Sequence, residues 1–269
     1  MKKNKIMNTE DVSTVTIPGV FISEFRGVRS LHLAQEGDAD VSTAPIQGSM
    51  RIAVPDQIEL EYVQQMMMWT LFNSAPKHIT QLGLGSASLT KFCYHHFPES
   101  KVTAVDLNPH VITACREQFF LPPDDERLSV LEMDALDYLA QEKIAGSLDV
   151  LQVDLYDAKA DGPVFDSIDF YRACANALTD EGMMTVNLFA DSEARRRNVA
   201  AMEASFDVVV WLPEVHDANI VALAFKTAPV MEFSELDKRA VYVRVNHKLK
   251  AQDWVHGLKV WMTQEDDDL

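Results

Sequence analysis

The spacing of apolar positions changes along the chain, and each change predicts a different element. Residues 14–53 carry short apolar stretches, TVTIPGVFISEF and VRSLHLAQ, cut by glycine and by the polar EGDAD. Alternation between turn residues predicts strands and hairpins. We read residues 1–57 as a small β-rich N-terminal segment whose first, polar residues are expected to be mobile. Residues 58–73 (IELEYVQQMMMWTLFN) put Ile58, Leu60, Tyr62, Met66 and Leu71 at helical spacing, with Pro55 and Asp56 as start signals. The run Met66-Met67-Met68 reads as core filler, because the flexible thioether fits irregular gaps.

From residue 78 the pattern alternates. HITQLGLG is a short apolar strand ending in glycine, and ASLTKFCYHHF a helix. KVTAVDLN, RLSVLEMDA and LDVLQVDLYD are strands ending in acids, each followed by a helical stretch (PHVITACREQF, LDYLAQEKI, SIDFYRACANAL). The turn TDEG precedes a fifth strand, GMMTVNLFA, and the helix SEARRRNVAAMEASF leads to a pair, DVVVWLP and NIVALAFK. Strands alternating with helices predict βαβ units and a parallel sheet. The expected fold class is therefore α/β, a doubly wound sheet with a reversed last strand, over 58–230. Residues 231–269 are expected to form a helical extension and an acidic tail. Within it, 234–249 predicts a helix over a sheet edge, capped by Ser234 with Asp237 in its first turn.

Composition narrows the class. Apolar residues make up 47% and charged residues 24%, which fits a globular chain with a sizeable core. The net charge is −17, a poor basis for neutralising phosphates, so nucleic acid is not an expected partner. Three cysteines at wide spacing indicate neither a disulfide framework nor a zinc site. The lysines of MKKNKIMNTEDVS have no apolar run behind them, and no stretch approaches the ~20 apolar residues of a membrane span. The expectation is a cytoplasmic protein with no membrane partner and no metal.

In doubly wound sheets ligands lie beyond the carboxyl ends of the strands. The first strand ends in Gly83-Leu84-Gly85-Ser86-Ala87-Ser88, where Gly83 and Gly85 allow a tight turn and close ligand approach. Asp106 ends the second strand, where an acid can accept from both ribose hydroxyls. Asp134-Ala135 ends the third, where a carboxylate can accept from an exocyclic adenine amine. Each acid alone could be a helix cap; together they favour an adenosine site. Ser88 stands where a dinucleotide fingerprint has its third glycine, and no basic run is near to neutralise a pyrophosphate. S-adenosyl compounds are favoured over a nicotinamide dinucleotide. Asp154-Leu155-Tyr156-Asp157 ends the fourth strand with two acids three residues apart, suited to a raised carboxyl pKa, a general base, or a holder for a cationic amine.

These residues carry a resemblance. The segments IQGSMRIAVPDQIELEYVQQMM, LGLGSASLTKF, VTAVDLNPHVI, MDALDYL and VDLYDAKADGPVFDSIDFY resemble the spermidine synthase (polyamine aminopropyltransferase) family, in particular a bacterial spermidine synthase-like branch, over about residues 40–230. The resemblance implies a small N-terminal β-domain before a Rossmann-like domain of class I S-adenosylmethionine-dependent methyltransferase topology. It implies transfer of an aminopropyl group from decarboxylated S-adenosylmethionine to a small amine such as putrescine. By the same resemblance Gln47, Gly83, Gly85, Ser86, Asp106, Leu107, Asp134 and Ala135 belong to the cofactor side. Asp154 is the base, Tyr62 helps orient and deprotonate the amine, and Tyr156 and Asp157 belong to the amine side. Gly162-Pro163 lies in a closing loop, and Phe170-Tyr171 matches the aromatic pair of the next helix. A homodimer is compatible with the family, although the N-terminal segment is short here.

The sequence departs from the pattern at Ser86, which replaces the acid of the family's GGGDGG turn, at Ala158, which replaces a proline, and in the loop after Asp157. Two alternatives follow: a methyltransferase using S-adenosylmethionine on a small nucleophile, or a non-catalytic adenosyl- or polyamine-binding homologue. Cys93-Tyr94-His95-His96, Arg195-Arg196-Arg197 and His216 read as surface or partly buried side chains. Neither GxSxG nor HExxH occurs.

Overall fold

A computed structural model describes residues 19–34, 45–156, 165–189, 192–213 and 219–263. Asp157, the 158–164 part of the expected closing loop, His216, the first residues and the acidic tail lie outside the described residues.

The chain opens with β1 (Gly19–Phe25), β2 (Val28–Ala34) and β3 (Ile46–Arg51), an antiparallel sheet in that order. Arg26 and Gly27 close the first hairpin with φ of 50° and 76°, the positive values a tight two-residue hairpin turn requires. Next come α1 (Glu61–Gln65) and a 3-10 turn at Met68–Leu71. The alternating region supplies β4 (His78–Leu82), α2 (Ser88–His96), β5 (Lys101–Asp106), α3 (Pro109–Gln118), β6 (Leu128–Glu132), α4 (Ala135–Leu139), β7 (Leu148–Val153), α5 (Ile168–Ala177) and β8 (Leu178–Phe189). Then follow α6 (Ser192–Glu203), β9 (Val208–Trp211), β10 (Asn219–Phe225), α7 (Phe233–His247) and α8 (Ala251–Thr263).

The seven-stranded sheet has the order β6-β5-β4-β7-β8-β10-β9. Strands β4 to β8 run parallel, and β10 is antiparallel to both its neighbours, β8 and β9. This is the expected doubly wound sheet with one reversed strand. Every residue of β10 is buried. Its Val221, Leu223 and Phe225 join one core with α2, α3, α7, α8 and the N-terminal sheet, while Ala222 and Ala224 face the other with α4, α5 and α6. Helices on both faces explain why the central strands read as continuous apolar runs.

Several expectations are corrected. No single helix runs over 58–73. Chain direction changes at Met66, whose carbonyl accepts from Gln152 Nε2 (3.3 Å) and Thr185 Oγ1 (3.1 Å) and leaves the helical ladder. Thr70 then bonds to Met67, the tighter i−3 pattern. The helix starts at Glu61 with Leu60 at its N-cap, not at Pro55 and Asp56. The three methionines are fully buried core, as read. The turn TDEG is absorbed into β8, whose pairing with β7 shifts register between Leu148 and Val150. Helix α4 stops at Leu139, short of the stretch expected to be helical. Helix α7 is capped by Glu232 rather than Ser234, with Glu235 in its first turn. It packs on the 3-10 turn, where Arg239 donates to the carbonyls of Leu71 (3.1 Å) and Phe72 (2.7 Å). The element against the edge strand β9 is α8, through Trp261 on Trp211.

Candidate active site

The strand tips of β4, β5, β6 and β7 lie side by side in the sheet, so their terminal residues share one edge. At β4 the chain turns sharply through Gly83 (φ +87°) and Gly85 (φ +53°). A Cβ on Gly83 would sit 2.1 Å from the Asp154 carbonyl oxygen, so only glycine lets the turn pass beside the end of β7. Gly83 N donates to Val105 O (2.8 Å), and Asp154 N to Leu82 O (2.9 Å). From below, the Cys115 thiol donates to Gly85 O (3.1 Å).

The N-terminal sheet rests on this turn. A Cβ at Gly48 would come within 2.6 Å of Ser86 Oγ, and the Gln47 carbonyl lies over Gly85, 3.0 Å from where a Cβ would be. Ser86 is buried, and its hydroxyl lies 3.4 Å from Ser49 O and 3.0 Å from Ser88 Oγ, which itself donates to Ser49 O at 3.2 Å. Ser86 therefore joins two parts of the protein.

Asp106 closes the turn from β5. One carboxylate oxygen accepts from Leu84 N and the other from Asn108 N, both at 2.8 Å. Burial raises its pKa, and the two backbone donors counter that shift. Asp134 is the N-cap of α4, its Oδ1 accepting from Leu136 N (2.7 Å) and Asp137 N (3.3 Å). The next residue, Ala135, is buried. Leu107 and Leu136 are both exposed large apolar side chains, 49% and 40%. They directly follow Asp106 and Ala135, so apolar surface flanks the polar groups, the lining a nucleobase pocket needs. Leu136 escaped the sequence reading.

At β7 the surroundings change. Asp154 Oδ1 accepts from Asn187 Nδ2 (2.9 Å), and the Tyr62 hydroxyl from α1 hydrogen-bonds the same carboxyl. Burial pushes the Asp154 carboxyl up to about 6, against the pull of these two bonds. Asp154 as a residue is half-buried. Asn187 Oδ1 accepts from Asn219 Nδ2 (2.8 Å), and the Tyr156 hydroxyl donates to Asn187 O (2.8 Å). Burial raises the Tyr156 pKa first, with the Asp154 charge adding to it. The structure thus brings Asp154, Tyr62 and Tyr156 together. Asn187 and Asn219 were missed, although Asn187 is a polar residue near the end of the fifth strand, in the same strand-tip row.

Phe170 and Tyr171 are core residues: Phe170 stacks on Phe165, and the Tyr171 hydroxyl donates to Asn198 Oδ1 (2.6 Å). No group of three His, Cys, Asp or Glu residues among those described could hold a metal ion. No helix among the described residues is long and apolar enough to cross a membrane.

Comparison with known proteins gives a consistent picture. The spermine/spermidine synthase domain model matches residues 60–210. A polyamine aminopropyltransferase of Neisseria meningitidis is 32% identical over 245 residues, 90% of this chain and 89% of that one. A probable spermidine synthase from Corynebacterium glutamicum superposes with a TM-score of 0.67 at 17% identity, over 84% of this chain and 88% of its own. Human methyltransferase-like protein 13, solved in complex with SAH, gives 0.61 at 22% identity over 78% and 97%. Both show the methyltransferase-type fold.

Proposed function

The chain belongs to the spermine/spermidine synthase family, and from that premise we propose that it transfers an aminopropyl group from decarboxylated S-adenosylmethionine to a small primary amine such as putrescine. The observation that carries this reading is the desolvated Asp154 carboxyl, held at about 6 between Tyr62 and Asn187 at the tip of β7.

The residues fit a sulfonium nucleoside. Gly83 and Gly85 form the tight turn beside which it would lie, Asp106 can accept from its ribose hydroxyls, and Asp134 with Ala135 can read the adenine edge between Leu107 and Leu136. When bound, the nucleoside supplies an electrophilic methylene beside its sulfonium. An amine at neutral pH is protonated and cannot attack. Asp154, ionised above about pH 6, accepts that proton while Tyr62 orients the nitrogen. The nitrogen lone pair then forms the new C–N bond as the C–S bond breaks, and its electrons return to sulfur, leaving neutral methylthioadenosine. Holding the two reactants in line supplies much of the acceleration, and base catalysis adds roughly 10²–10⁴-fold.

A second reading rests on Ser86. Its hydroxyl lies between the Ser88 hydroxyl (3.0 Å) and the Ser49 carbonyl (3.4 Å), and being uncharged this position offers no carboxylate to an aminopropyl ammonium and does not repel a carboxylated tail. Methyl transfer from S-adenosylmethionine keeps the same nucleoside contacts. Mass spectrometry after incubation with each sulfonium compound and a mixed amine pool separates the two. An amine heavier by an aminopropyl group supports the first reading. A methylated amine supports the second, and binding without any product sinks both.

A further inference from the structure

We propose that Asn187 and Asn219 act as positioning residues that relay amide polarity to Asp154, so that a group on β10 keeps the proton acceptor ionised. This rests on the reading of Asp154 as the base. Asn187 is 2% and Asn219 6% exposed. Two buried amides in apolar strands are costly unless their polar atoms are matched. Here they form a directed chain: Asn219 Nδ2 donates to Asn187 Oδ1 at 2.8 Å, and Asn187 Nδ2 donates to Asp154 Oδ1 at 2.9 Å.

The direction matters because an ionised carboxylate only accepts. Asn187 serves it only with its NH2 turned toward Asp154, which turns its carbonyl oxygen toward Asn219. Asn219 fixes that orientation by donating. Without this donor the Asn187 amide is free to rotate by half a turn and present its oxygen to Asp154. Two facing acceptors favour a proton between them, and the carboxyl becomes harder to ionise. Among the described residues, the titratable groups facing Asp154 are Tyr62 from α1 and Tyr156 after β7. Both are phenols and carry no positive charge, so neither replaces the lost donor. Strand pairing makes the relay possible: β10 lies antiparallel beside β8 with Asn219 opposite Phe189, two residues from Asn187 along β8.

The test is the titration midpoint of Asp154 in full-length protein labelled with ¹³C at the aspartate carboxyls. The signal is assigned by its loss in Asp154→Asn. The relay predicts that Asn219→Ala raises the midpoint by about one unit. The ionised fraction at pH 6 then falls from about half to about one tenth, and turnover there falls about fivefold, recovering above pH 8. A role limited to packing predicts the opposite sign, since a cavity beside Asn187 admits water and lets the midpoint drop toward an ordinary carboxylate. An unchanged or lowered midpoint in folded protein, judged by methylthioadenosine binding, overturns the proposal. Should Asn219→Ala not fold, Asn219→Leu, which removes the donor at similar volume and adds no charge, is read by the same criterion. The failures are separable: if Asp154→Asn keeps full turnover, the base assignment is wrong whatever the midpoint does.

Discussion

Asp134 and Asp154 stand at opposite ends of the row of strand tips β6-β5-β4-β7, and their surroundings differ in kind. Asp134 is held by two backbone N–H groups of the helix it caps. Asp154 is held by side chains from elements far apart in sequence, Tyr62 and Asn187, with Asn219 behind. Asp106 belongs with Asp134, both its oxygens being tied to backbone donors. On the proposed reading the nucleoside half rests on backbone donors, local at Asp134 and partly from the β4 turn at Asp106, and the proton-accepting half on side chains from distant elements. Desolvation outweighs the hydrogen bonds at both Asp106 and Asp154; at Asp154 the countering donors are side chains, and the carboxyl is held at about 6.

Breaking the backbone that joins the halves has the largest effect. Gly83→Ala places a methyl group 2.1 Å from the Asp154 carbonyl at a φ of +87°. We expect no folded, nucleoside-binding protein, as read by thermal melting and calorimetry; a cooperative melt near that of the parent would contradict the close packing. Removing a contact from the nucleoside half alone is milder. Asp106→Ala loses a charged acceptor for ribose, and affinity for methylthioadenosine should fall roughly tenfold to a hundredfold, at about 1.5–3 kcal/mol per such bond.

The Asp154 half predicts a stability effect of opposite sign. Burial lifts its folded-state pKa to about 6, above the ordinary carboxylate value of 3.8, so in this window the folded protein holds a proton that the unfolded chain releases. Stability is full below about pH 4 and declines as pH rises through 6. Asp154→Asn should therefore be more stable than the parent at pH 7, by on the order of 2 kcal/mol, and should lose that advantage by pH 4. Denaturant melts at both pH values check the sign. The smallest effect is at the cap: Asp134→Ala should cost about 1 kcal/mol of stability, and Asp134→Asn almost nothing, because asparagine caps equally well.

The same division explains what could be read in the sequence. The glycine turn and the strand-end acids are local, and each follows from a few adjacent residues. The sheet and its reversed strand followed from alternating periodicity. The break at Met66 was hidden, since it depends on Gln152 and Thr185 capturing one carbonyl across the core. The orientation of Ser86 was hidden too, because it depends on where β3 settles. Asn187 and Asn219 meet only through antiparallel pairing of β8 and β10, a register that no local pattern encodes.

The account depends most on Asp154 taking the proton from the amine. The direct measurement is single turnover at pH 7 of the parent beside Asp154→Asn, with decarboxylated S-adenosylmethionine and excess putrescine, after calorimetry has established equal nucleoside affinity. The predicted result is a loss of roughly 10²–10⁴-fold in the variant. Equal rates, with nucleoside binding intact, would contradict the central claim.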